Sequence, residues 1–63
     1  MELDKKYMDA LFSMAFCREE IGQYEKAAVI WENITRRLEE QGLEEEAQMP
    51  RQMAQKCRAK LFV

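Results

Sequence analysis

Few side chains in this sequence could do chemistry, and their spacing argues against most of it. There is no histidine, which removes the commonest general base and metal ligand. Cys17 and Cys57 stand far apart in the chain, and two cysteines without histidine make no zinc signature. Glu44, Glu45 and Glu46 are consecutive, so on a helix they point three ways, whereas catalytic carboxylates share a cleft. Arg36, Arg37 and the group Arg51, Lys56, Arg58 and Lys60 could touch phosphates, but acidic neighbours dilute both. Ten basic and twelve acidic residues give a net charge of −2, and so no electrostatic reason to expect nucleic acid or an anionic membrane as partner. No glycine-rich phosphate loop, nucleophile elbow or metal motif is present. The expectation is a protein that is not an enzyme and uses no cofactor or metal.

What the sequence offers instead is surface. Phe12 and Phe16 lie one helical turn apart and off the main apolar stripe of their segment. Three uses compete for them: a floor for a bound peptide, a contact between copies of the chain, or plain core beneath a third helix.

The elements that would position them are helices. Hydrophobic residues make up 48% of the 63 and charged residues 35%, too apolar for a disordered acidic segment. Two glycines and one proline leave room for few turns, and Ala, Glu, Lys, Arg, Gln, Leu and Met favour helix. A chain this short buries a limited core, so its stability is modest without a staple or partner.

Helix one is expected over about residues 3–21. Leu3, Tyr7, Ala10, Met14, Cys17 and Ile21 recur in steps of four and three, the spacing of one helical face. Glu2 and Asp4 suit the positive end of its dipole, and Gly22 suits the left-handed position that stops it. Met8, Leu11, Phe12, Ala15 and Phe16 widen the apolar surface, so this helix must touch more than one neighbour. Helix two, about 24–41, has a clean stripe of Tyr24, Ala27, Trp31, Ile34 and Leu38, with Val29 the one apolar residue on its far side. Gly42 ends it. Helix three, about 44–61, carries Leu43, Ala47, Pro50, Ala54, Cys57 and Leu61. Pro50 removes a backbone donor at a cost of ~3 kcal/mol, yet the stripe keeps phase across it, which predicts one helix bent near Pro50. Phe62 and Val63 are read as exposed or as the start of a continuation. The expected core is Met14, Ile21, Tyr24, Ala27, Trp31, Ile34, Leu38, Ala54 and Cys57.

Residues 8–41 resemble a tetratricopeptide repeat. Leu11, Met14 and Ala15 on the first helix, Gly22 and Tyr24 at the turn, and Ala27 and Trp31 on the second helix carry the likeness. Arg18 stands where the family usually has an aromatic, Ile34 where it has a small residue, and Glu39 where a proline often closes the repeat. The resemblance implies an all-α, three-helix antiparallel array, with helix three as the first helix of a further repeat or as a cap. It also implies a peptide-holding concave surface at Asp9, Phe12, Phe16 and Glu19. With helix three in matching phase, Gln48, Gln52 and Gln55 join them, and Met8 completes the expected partner-binding set.

The functional expectation is therefore a small module that binds a protein or peptide through helix one. A homo-oligomer using the same patch is the alternative, and a nucleic-acid-associated regulator a less favoured one. No apolar run approaches the ~20 residues that span a bilayer. Met1 to Lys6 lacks the apolar core of a signal peptide. The expected compartment is the cytoplasm, with Cys17 and Cys57 as reduced thiols.

Overall fold

Gly22 and Gly42 set the architecture. Each holds a positive φ, 81° and 78°, which a residue with a Cβ adopts only under strain. At the first turn the Gln23 N–H donates to the Arg18 carbonyl (2.8 Å) and the Gly22 N–H to the Glu19 carbonyl (3.0 Å). The second turn repeats the pattern: Leu43 N–H to Leu38 (2.9 Å) and Gly42 N–H to Glu39 (3.0 Å). This paired arrangement satisfies the last carbonyls of a helix while reversing the chain. In both turns the residue five after the glycine is a fully buried alanine, Ala27 or Ala47.

The computed structural model of the chain describes residues 5–61. Within them lie three helices, α1 (Lys5–Glu20), α2 (Tyr24–Glu40) and α3 (Glu44–Lys60), and the fold is all-α. The expected helix start at Leu3 or Asp4, the dipole role of Glu2 and Asp4, and the reading of Phe62 and Val63 lie outside the described residues. Contacts between helices show that neighbours run antiparallel. Glu39 pairs with Arg51 and Glu32 with Arg58, so position falls along α2 as it rises along α3. In the same way Tyr7 meets Arg37 while Phe16 meets Trp31. The helix α2 is central and packs against both others.

The core centres on Trp31, which is fully buried along with Ile34, Pro50 and Cys57. Phe12 and Phe16 of α1 meet its indole edge-on, with centroids 5.6 and 5.0 Å away. Such contacts add ~0.5–1.5 kcal/mol each beyond the area they bury. Ala15, Ala27, Ala28, Ala47 and Ala54 are all buried, and their small side chains let the helix axes come close. Thr35 is buried too, its hydroxyl donating to the Trp31 carbonyl at 2.9 Å. The helix α3 runs unbroken through Pro50. The carbonyl that loses its donor belongs to Glu46, an exposed residue, where water can take its place.

The face that α1 buries is not the expected one. Leu11 and Ala15 are buried and Met8 and Phe12 half-buried, whereas Tyr7, Met14 and Ile21 are 44, 47 and 59% exposed. Ala10 and Cys17 are exposed as well. The four-and-three stripe is thus an exposed side of α1, with Tyr7 at its edge under Arg37 of α2, and Met14 and Ile21 leave the expected core. The physical reason is the partner: α1 packs Leu11 and Ala15 into the core and sets Phe12 and Phe16 edge-on against Trp31. Tyr24 is half-buried at the edge, beneath the Lys60 ammonium 4.8 Å from its ring.

Space around both glycines is open, with nothing within 4 Å of an added Cβ, so substitution there acts through the backbone alone. Gly22→Ala is expected to lower stability by about 1–2 kcal/mol, and Gly22→Asn by less, because Asn tolerates the left-handed region. Urea unfolding followed by far-UV circular dichroism measures this. An unchanged midpoint in Gly22→Ala would mean the turn does not depend on its left-handed geometry.

Candidate functional site

The side of α1 that carries Phe12 and Phe16 lies against Trp31 and, through Glu19, reaches Cys57 of α3. Phe12 is half-buried, whereas Phe16 keeps 44% of its surface open although its ring is fixed edge-on to the buried indole. Met8 is half-buried against the same cluster. Asp9 is exposed and Glu19 half-buried, placing one carboxylate near each end of the row. The Cys57 thiol of α3 donates to Glu19 Oε1 at 3.1 Å, and this contact fixes which side of α3 faces α1.

The contact also places the α3 residues beside the phenylalanines. Met53 and Met49 precede Cys57 by one and two helical turns, on the same side of α3. Met53 packs against the core and Met49 is 44% exposed. Because α1 and α3 run parallel, the two methionines lie near the levels of Phe16 and Phe12. The expected glutamines do not join them. Gln48 and Gln55 lie about half a turn of the helix away from the Met53–Cys57 side, with Gln52 between. Gln55 instead lines the opposite cleft, between α2 and α3. The family phase placed glutamine beside the phenylalanines; the packing of Ala47, Pro50, Ala54 and Cys57 on α2 brings Met53 and Met49 to that side instead. Their spacing, Met49-x₃-Met53-x₃-Cys57, was the available signal.

The α2–α3 cleft is about 470 Å³, lined by Glu32, Arg36 and Glu39 on one wall and Arg51, Gln55 and Arg58 on the other. Its charges largely answer one another. Arg58 donates to both Glu32 oxygens, at 2.6 and 2.8 Å, and Arg51 pairs with Glu39. The Arg58 guanidinium holds the Glu32 carboxyl below its usual pKa against a smaller opposing effect of burial, and Glu32 in turn raises that of Arg58. Pairs this exposed to solvent screening contribute little to stability. The cleft is a stitched seam between helices.

The two cysteines part company. Cys17 sits exposed on α1, and Cys57 is buried beside Glu19; both are free thiols. Both lie on apolar stripes of the sequence, yet only Cys57, the one placed in the expected core, is buried. Burial, then the Glu19 carboxylate, push the Cys57 pKa from 9.0 up to about 11, which disfavours the thiolate that nucleophilic or metal chemistry needs. One buried polar atom is unanswered: Trp31 Nε1 has no acceptor among the described residues. Leaving such a donor unpaired costs ~1–3 kcal/mol, less than the ~4–6 kcal/mol that burying an indole's 150–250 Å² supplies.

Among the described residues no group of three or more Cys, Asp or Glu side chains could hold a metal ion. No helix among them is long and apolar enough to cross a membrane. No protein-family model, curated protein or solved structure matches the chain.

The thiols give a direct check. In the native protein at pH 8 a soluble disulfide reagent should titrate Cys17 rapidly and Cys57 only after unfolding. The folded state keeps the Cys57 proton where the unfolded chain would lose it. Its contribution to stability is therefore complete below pH 9 and lost as pH rises toward about 11. Cys57→Ala should flatten that part of the stability–pH curve. Two thiols reacting at one rate in the native chain would contradict this placement.

Proposed function

We propose that the protein is a small helical interaction module that holds a peptide or protein segment on the side of α1 carrying Phe12 and Phe16. The observation that carries this reading is Phe16: a large ring, immobilised against a buried tryptophan, with nearly half its surface in water. A preorganised apolar group of this kind binds without first losing conformational freedom. Met49 and Met53 extend the apolar floor with unbranched, adaptable side chains that accommodate varied partners. Asp9 and Glu19 at the ends favour a segment that carries a basic residue beside its apolar ones. The resemblance of residues 8–41 to a tetratricopeptide repeat supports the same surface, because in that family first helices line a peptide-holding concavity. On this reading α3 is the first helix of a further repeat or a cap. The role is binding rather than catalysis, and two free cysteines suit a reducing compartment such as the cytoplasm.

Panning a displayed random-peptide library against the whole chain tests this. Enriched peptides should share apolar residues with a nearby Lys or Arg, and Phe16→Glu should weaken their binding by about tenfold or more, the ~1.4 kcal/mol or larger loss typical of a central anchor. Phe16 is half-exposed, so the variant should keep its helical circular dichroism. Peptides that bind wild type and Phe16→Glu equally would contradict the proposal.

A further inference from the structure

The α2–α3 cleft holds one arginine more than its carboxylates answer. Ion pairs close it at both ends, Glu39 with Arg51 at one and Glu32 with Arg58 at the other. Because the two helices run antiparallel, Thr35 and Arg36 of α2 stand midway between these pairs, opposite Ala54 and Gln55 of α3. Thr35 and Ala54 are small and buried, so they form a floor and leave depth above it. Arg36 and Gln55 are exposed and line the same cleft. After Arg58, Arg36 exerts a weaker through-space pull on the Glu32 carboxyl. It makes no hydrogen bond or ion pair among the described residues, and neither does the Gln55 side chain.

Charge selects what such a cleft takes. Three arginines against two glutamates leave it with one net positive charge, in a chain whose net charge is −2. A carboxylate neutralises that excess. A phosphate, nearer two negative charges, overshoots it and is repelled by Glu32 and Glu39. Guanidinium and carboxylate also match as planar forks joined by two parallel N–H···O bonds, and the Gln55 amide supplies a further donor. We propose that the α2–α3 cleft binds a carboxylate carried on a small apolar body, with the charge held by Arg36 and Gln55 and the body over Ala54 and Thr35.

The cleft, about 470 Å³, lies within the ~300–1,000 Å³ of small-ligand sites. Its rim is open to water and the pairing is screened, so the affinity is modest, with a dissociation constant on the order of 1 mM at low salt. A free small acid and the carboxyl end of a peptide present the same group, and the test separates them.

NMR shifts of the isotope-labelled whole chain, titrated at low salt, test this. The probes are benzoate and N-acetylated phenylalanine, each beside its uncharged amide, with inorganic phosphate as the rival anion. The acids should shift the Thr35, Ala54 and Gln55 signals saturably, and the amides should not. Arg36→Gln should weaken binding about tenfold. Glu39→Gln, which releases Arg51, should tighten it about threefold. Both positions are exposed, so each variant should keep the dispersed spectrum of the folded chain. Phe16→Glu, away from the cleft, should bind like wild type. Tighter binding of benzoate assigns the carboxylate to a free acid, and tighter binding of the acetylated amino acid to a chain end; either upholds the site. Amides that bind as well as the acids, phosphate that binds more tightly than both, or a folded Arg36→Gln of unchanged affinity would each overturn the proposal. So would a Glu39→Gln that binds no better, or no saturation by about 20 mM of either acid.

Discussion

The one tryptophan of this 63-residue chain carries the largest apolar side-chain area the fold has to hide. Trp31 is wholly buried, and the rest of the structure follows from how. It projects from the middle of the central helix. Phe12 and Phe16 of α1 close around it edge-on, while α3 buries Pro50, Ala54 and Cys57 against α2. Rotation of α1 about its axis is fixed by this demand. Burying Leu11 and Ala15 with Phe12 and Phe16 against the indole leaves Met14 and Ile21 exposed, so that exposed apolar surface is a consequence of core formation.

The two interfaces of α2 are built differently. Against α1 the contact is aromatic and apolar, supplemented by the Arg37 guanidinium over the Tyr7 ring at 5.1 Å. Against α3 small residues and Pro50 allow close approach, and the rim is charged, with Glu32–Arg58 and Glu39–Arg51 along it. Exposed pairs add little energy but penalise slipped registers, where like charges would meet. The same asymmetry gives the array one oily end and one polar end. The turns are alike because one backbone solution serves both: glycine in the left-handed region, two carbonyls capped, and an alanine admitted to the core on re-entry.

Most of the architecture was legible in the sequence. Two glycines far enough apart to bracket helical segments, with strong helix formers between them, leave few alternatives. The stripe of α2 could be read correctly because a single apolar face stood against a polar one. The helix α1 defeated the same method because it is apolar on three sides. A four-and-three pattern finds an apolar side but does not say whether that side is the one the fold buries. Periodicity selected Met14 and Ile21, whereas the choice belonged to the volume of Trp31, a tertiary fact. Of the candidate surface, Phe12 and Phe16 were visible by exclusion from the stripe, but which α3 residues lie nearest them depends on how α3 rotates against α2. Ala47, Pro50, Ala54 and Cys57 settle that rotation and bring methionines where glutamines were expected.

The central claim is that Trp31 is sealed in the core against the rings of α1, and its own fluorescence reports on this without interference from another tryptophan. Acrylamide quenching of the native chain, compared with the same chain in urea, is the most direct measurement. The account requires blue-shifted native emission, quenched several-fold more slowly than the unfolded chain. Native emission as red and as readily quenched as the unfolded chain's would contradict it.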